Sequence, residues 1–168
     1  MMVKGDLFTD GGYDNGALLS GCGRYRYCLW RQWGSDRGNY CNFIMLNPST
    51  ADAEVDDPTV TRCIRRAKKM GYSGLYVTNL FGLRGTDPAC LRGCVDPVGP
   101  ENDGWIGTTA RQSKTVICAW GNGGLWMGRS AAVKKLLCGI QLHALKISSM
   151  GEPGHPLYIS YGTVPEVW

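Results

Sequence analysis

Three short runs constrain this chain more than anything else in it: Phe43-Ile44-Met45-Leu46, Leu75-Tyr76-Val77-Thr78-Asn79-Leu80 and Thr115-Val116-Ile117-Cys118-Ala119. Apolar residues on successive positions mark strands covered on both faces, and each run breaks into a polar or glycine-containing turn. Between the first two lies Asp57-Pro58-Thr59, where Asp57 suits a helix cap and Pro58 the first helical position. Val60, Cys63, Ile64 and Ala67 then recur at helical spacing, and Gly71 ends the pattern. Residues 43–80 therefore read as strand, helix, strand, and the right-handed crossover rule makes the two strands parallel.

The remaining segments extend this alternation. Arg24 to Trp33 alternates Tyr25, Tyr27 and Leu29 with Arg24, Arg26 and Cys28, which predicts a half-buried strand, antiparallel or at an edge. Residues 82–100 are punctuated by glycine and proline and read as a long loop. Glu101 to Gln112 reads as a helix weakened by Gly104 and Gly107, Arg129 to Cys138 as a helix with Val133, Leu136 and Leu137 inward, and Leu142 to Ile147 as a fourth strand. The first 23 residues show little periodicity and are expected to form an irregular lead-in. The sum is one domain over 1–168: a three-layer α/β/α sandwich around a central, mainly parallel four-stranded sheet, with an N-terminal edge strand.

Composition narrows the function. A chain of 168 residues buries a core without a disulfide or metal staple. Its eight cysteines are scattered and read as small buried thiols, no CxxC pair exists, and only His143 and His155 could complement them, so neither a metal nor another cofactor is expected. A net charge of +4 favours anionic partners and equally suits an ordinary solvated surface. With no signal-peptide h-region and no apolar run of membrane-spanning length, the expectation is a soluble, cytoplasmic protein without a membrane partner.

Asn47 follows the first strand, Asn79 closes the second, Trp120-Gly121 follows the third, and His155 lies in the loop after the fourth. Ligands of open parallel sheets bind beyond the carboxyl ends of the strands, so four segments aim polar residues at one crevice. Each also has a plainer explanation. Asn47-Pro48 is a common turn opener, Asn79 could close a turn, Trp120 suits a core, and Asp56-Asp57 suits a helix start better than a catalytic pair. His155, between Gly154 and Pro156, is expected to be exposed and functional. Arg62, Arg65, Arg66, Arg84, Arg92 and Arg129 are candidate phosphate contacts, with a solvated helix face as the alternative for the first three.

The set LNPS at 46–49, DDPT at 56–59, TNLF at 78–81, DPVGPEND at 96–103, AWG at 119–121 and HPLY at 155–158 resembles a bacterial and phage domain-of-unknown-function family, number sixteen-forty-three. More distantly, the layout is similar to the uracil-DNA glycosylase superfamily. That resemblance implies a glycosylase-like hydrolase acting on a nucleobase in DNA or a nucleotide, in the cytoplasm of a bacterial host, without a metal. It implies that Asn47 positions or activates water, that Asn79 reads the base edge, and that His155 donates to the departing base's carbonyl. Phe81 or Tyr158 would stack on the base, and Pro48, Ser49, Thr50, Trp120 and Gly121 would complete the pocket, with Arg84 and Arg129 on phosphate. Because Asn47 stands where a carboxylate would be the stronger base, Asp52 or Asp57 is the candidate to supply one. The alternative is a non-catalytic nucleotide or modified-base binder, such as a phage protein sequestering a signal nucleotide. Phosphate transfer or hydrolysis is disfavoured, since the chain has no P-loop and no GxGxxG after a strand.

Overall fold

A computed structural model describes residues 15–168 of the chain. The apolar runs form β3 (Tyr40–Met45), β4 (Gly74–Asn79) and β5 (Thr115–Cys118), every position of β3 and β4 being buried. They pair in parallel, with Met45 opposite Asn79 and Ile44 opposite Cys118, so the three strands end at one level. A fourth parallel strand, β6 (Leu142–Ala144), follows β5, and it is shorter than the Leu142 to Ile147 run expected.

The sheet is larger than the sequence suggested. Among the described residues it has seven strands in the order β1-β2-β4-β3-β5-β6-β7, against an expectation of four and an edge strand. Asn15–Leu19 form β1 inside the expected irregular lead-in, of which residues 1–14 lie outside the described residues. β1 covers β2 (Arg26–Gln32), which pairs antiparallel with β1 on one side and β4 on the other. The predicted edge strand is therefore interior, and its outward-reading residues Arg26 and Cys28 are buried. A short β7 (Glu166–Val167) closes the far edge antiparallel to β6.

Helix α1 (Pro58–Lys69) starts as predicted, with Asp57 accepting from the Val60 N–H at 2.8 Å. It ends at Gly71, whose φ of +82° favours glycine. Helices α2 (Asn102–Gln112) and α3 (Arg129–Leu136) match expectation to within a few residues, but Leu136, expected inward, is 40 % exposed while Val133 and Leu137 are buried. Side-chain alternation sorts the packing. Phe43, Met45, Val77 and Ile117 pack with Val60, Cys63 and Ala67 of α1, while Ile44, Val116 and Cys118 pack with Ile106, Ala110 and Val133 of α2 and α3. The described residues thus form a mixed α/β fold built on the sheet. No helix among the described residues is long and apolar enough to cross a membrane.

All eight cysteines are free, but only Cys28, Cys41, Cys63 and Cys118 are buried. Burial pushes the Cys28 thiol up to about 12, which makes it an inert core residue. Cys22, Cys90 and Cys138 are exposed, against expectation, because they fall in turns and at a helix end.

Candidate functional site at the carboxyl ends of the strands

Because β3, β4 and β5 end together, the segments leaving them surround one cleft of about 220 Å³. Asn47, Ser49, Asn79, Trp120 and His155, five residues singled out from the sequence, line it. Arg26 and Asp57 line it too.

Asn47 is held by its amide nitrogen, which donates to the carbonyl oxygens of Gly85 at 3.0 Å and Pro48 at 3.3 Å. Two carbonyl partners fix the amide's orientation, since its oxygen would be repelled there. The Gly85 N–H returns a bond to the Pro48 carbonyl at 2.9 Å, so the turn after β3 and the loop after β4 are tied together. The side-chain oxygen of Asn47 accepts no hydrogen bond from the described residues, which leaves it as an acceptor.

Asn79 is 1 % exposed at the end of β4. Its carbonyl and that of Leu80 accept from the Asn102 side chain at 2.8 and 3.1 Å. The Arg26 Nη2 sits 3.5 Å from its Oδ1, a long contact whose charge favours the oxygen on that side. The Asn79 Nδ2 has no partner, and neither has Arg26 Nε. Orphaned buried donors are costly, and both of these belong to residues that line the cleft.

Arg26 is the residue the sequence concealed. Its Nη1 donates to the Ala51 carbonyl at 2.6 Å, and burial, partly offset by the charge of Asp57, lowers its pKa to about 10, so it remains a cation. The strand alternation places it outward with Arg24, whereas in the fold the Ala51 carbonyl after β3 and the Asn79 side chain at the end of β4 are brought against it. No local signal in the sequence reveals it.

His155 is half-buried rather than exposed. Its Nδ1 accepts the Leu157 N–H at 3.3 Å at the start of a single 3-10 turn, Pro156–Tyr158. Burial lowers its pKa, with Asp57 acting against that, so at neutral pH the ring is neutral and carries its proton on Nε2. The loop carrying it is clamped by α1. Arg62 donates to the carbonyls of Pro156 at 2.9 Å and Ile159 at 2.7 Å, and Arg66 donates to those of Ile159 at 2.5 Å and Ser160 at 2.8 Å. Both guanidiniums lie over the Tyr161 ring. These arginines therefore serve neither as phosphate contacts nor as a solvated face, whereas Arg65 is exposed.

Asp57 caps α1 through Oδ1 and lines the cleft, and no described residue donates to its second oxygen. Asp52, the other candidate carboxylate, does not line the cleft. Its Oδ1 accepts from the Glu54 and Val55 amides at 2.9 and 2.8 Å, bonds that lower its pKa and make it a turn residue.

The other candidates are dispersed. Pro48 is buried with its carbonyl in the turn bonds above. Thr50 and Arg84 line an adjoining groove with Ser49. Phe81 is 0 % exposed and packs on Trp126 at 5.0 Å in the core, so it does not reach the cleft. Trp120 donates Nε1–H to the buried carboxylate of Glu152 at 2.6 Å. Gly121, at φ +68° and ψ −174°, makes a turn that favours glycine. Tyr158 is 84 % exposed, with its ring 5.8 Å from that of His155. Arg129 is bound to the Leu80 carbonyl and ion-paired with Asp103 at 2.6 Å, a structural tie that occupies its donors. Arg92 is exposed in the loop after β4. Among the described residues no group of three or more His, Cys, Asp or Glu is placed to hold a metal ion.

No curated protein and no solved structure matches the chain. A family model described as a protein of unknown function (DUF1643) matches residues 26–157, a span that contains every cleft residue from Arg26 to His155. With most of its length matched, the chain belongs to that family.

Proposed function

We propose that the cleft seats a nucleobase and that the protein hydrolyses the N-glycosidic bond joining that base to its sugar. The observation that carries this reading is that two residues with an unspent donor line one small cleft: Asn79, whose Nδ2 has no partner, and the neutral His155 with its proton on Nε2. A base with ring carbonyls offers acceptors to both. The volume is below the roughly 300–1,000 Å³ typical of drug-sized ligands, which suits a single heterocycle. On this reading the sheet with its flanking helices is the three-layer sandwich of the glycosylase-like superfamily, working in the cytoplasm.

In the reaction the bond between the sugar's anomeric carbon and the base nitrogen breaks, and its electron pair leaves with the base. Asn79 and His155 donate to the carbonyl oxygens where that negative charge develops, while the free oxygen of Asp57 faces the oxocarbenium-like sugar. A water accepted by the Asn47 oxygen adds to the anomeric carbon, and its proton passes to Asp57 or to solvent. A base within duplex DNA would first have to be flipped out.

One observation favours a second reading, a nucleotide or modified-base binder without turnover. Asn47 is no base, and Asp57 has one oxygen committed to capping α1. The test is mass-spectrometric detection of free base after incubation with a panel of nucleosides, nucleotides and modified or uracil-containing oligonucleotides. Release that is abolished in Asn79→Ala and His155→Ala, with folding intact, is expected for the enzyme. A ligand recovered unchanged from a stable complex would establish the binder, and no binding or release across the panel would overturn both.

A further inference from the structure

The cleft does not end at Ser49. Ser49, Gly85 and Thr86 are shared with an open groove of about 430 Å³, whose other walls include Arg24, Thr50 and Arg84. We infer that this groove is a phosphate subsite, in which Arg24 and Arg84 bind the phosphate attached to the nucleoside whose base occupies the cleft. The inference rests on the base-binding reading for the occupant's identity, but the site's preference for phosphate stands on its own lining.

No carboxylate lines the groove. Neither arginine has an ion-pair partner among the described residues: Arg84 Nη1 donates to the Gly23 carbonyl at 3.4 Å, and Arg24 Nη2 to the Cys94 sulfur at 3.5 Å. The first bond is long and the second goes to a weak sulfur acceptor, and each leaves most of a guanidinium's five donors unused. The hydroxyls of Ser49, Thr50 and Thr86 likewise make no hydrogen bond to the described residues. Two cations and three hydroxyls around one groove match the donor set that phosphate oxygens take.

The arginines are not independent surface side chains. The Arg84 N–H donates to the Arg24 carbonyl at 3.0 Å, and Tyr25 bridges Leu83 antiparallel, so the main chain holds the two residues side by side. Asp52 is the nearby acid, and it feels the charge of Arg84, but its Oδ1 is bound to its own turn and it lies outside the groove lining. Arg84 also repels the Arg26 cation at the cleft, so an anion in the groove relieves both sites.

The phosphate could belong to a free nucleotide or to a nucleic-acid backbone, and titration separates the two. The probes are inorganic pyrophosphate, deoxyuridine, deoxyuridine 5′-monophosphate and a short single-stranded oligodeoxynucleotide containing deoxyuridine, measured calorimetrically on wild type, Arg24→Gln, Arg84→Gln and the double variant. Both side chains are at least partly exposed, so unchanged melting curves are expected. Pyrophosphate and the monophosphate should each lose about tenfold or more in affinity in the double variant while deoxyuridine binding is unchanged. An oligodeoxynucleotide that binds more tightly than the monophosphate and with a steeper salt dependence assigns the groove to a polymer backbone, and equal binding assigns it to a nucleotide. Pyrophosphate binding that is lost in the double variant, with no base or nucleoside binding anywhere in the panel, keeps the phosphate site and overturns the base reading. Affinity for pyrophosphate and monophosphate that is the same in wild type and double variant overturns the phosphate site.

Discussion

Replacing Arg66 by methionine tests whether the α1 arginines position the His155 loop. Methionine keeps the apolar stem that packs in the 2 %-exposed site but removes the guanidinium. Lost are the short bonds to the carbonyls of Ile159 at 2.5 Å and Ser160 at 2.8 Å, and a long one to Thr163 at 3.4 Å. At about 1.5 kcal/mol for each of the two short charge-assisted bonds, the gross loss is about 3 kcal/mol. Three features reduce it. The Ile159 carbonyl keeps Arg62, the exposed Ser160 can bond water, and the substitution removes a buried charge whose Nε has no partner and whose pKa burial depresses. Allowing about 1 kcal/mol for this relief leaves a net cost of about 2 kcal/mol. For a domain of this size that corresponds to a fall in melting temperature of about 4–8 °C. Thermal melting gives the first readout, and hydrogen exchange the second, since the Tyr158 and Ile159 amides within the clamped turn should exchange faster than those of β3. Arg62→Met shares the Ile159 acceptor, so the double variant should cost less than the sum of the singles. A variant that melts within a degree of wild type with unchanged exchange in the 156–163 loop would refute the clamp.

Two further perturbations probe the cleft and its support. His155 has an unfolded pKa near 6.5 that burial lowers in the folded protein. Within that interval the unfolded chain binds a proton that the folded chain does not, so stability is fully present above about pH 6.5 and is lost as pH falls through the window. Urea midpoints for wild type and His155→Gln should therefore diverge in slope only below about pH 6.5, and parallel profiles would count against a buried imidazole. Trp120→Phe strips the buried Glu152 carboxylate of its donor and should cost about 1–3 kcal/mol, whereas Glu152→Gln, which keeps an acceptor for the Trp120 N–H, should cost less. Denaturation midpoints that rank the two variants the other way would show that the bond contributes little.

The strand-helix-strand unit was legible because its signals are local. Two-sided burial appears as unbroken apolar runs, Asp57-Pro58 and Gly71 bracket α1, and parallel pairing follows from the crossover between the strands. The convergence of Asn47, Asn79, Trp120 and His155 on one cleft was legible for the same reason, since strand ends in a parallel sheet lie on one side. Phe81 misled because it sits two residues past a polar strand end, and its side chain turns back into the core beneath Trp126. Arg129 misled because a helix-start arginine reads as free for phosphate until Asp103 and the Leu80 carbonyl are brought to it from elsewhere in the chain.

By itself, then, the sequence determined the opening strand at Phe43, the turn at Asn47, the cap at Asp57 and the side of the sheet on which the polar residues gather. Periodicity, capping and chain handedness act within a few tens of residues. Only the tertiary structure decided what those residues face. It brought Arg26 under Asn79 from 53 residues away, seated His155 on Arg62 and Arg66 of α1, and chose Asp57 over Asp52 as the carboxylate of the cleft. Such contacts depend on which segments the fold packs together. The antiparallel strand β1, drawn from a glycine-rich segment with weak periodicity, made β2 an interior strand of the sheet, and the Ala51 carbonyl and Asn79, packed against Arg26 from later in the chain, made that arginine the buried cation of the site.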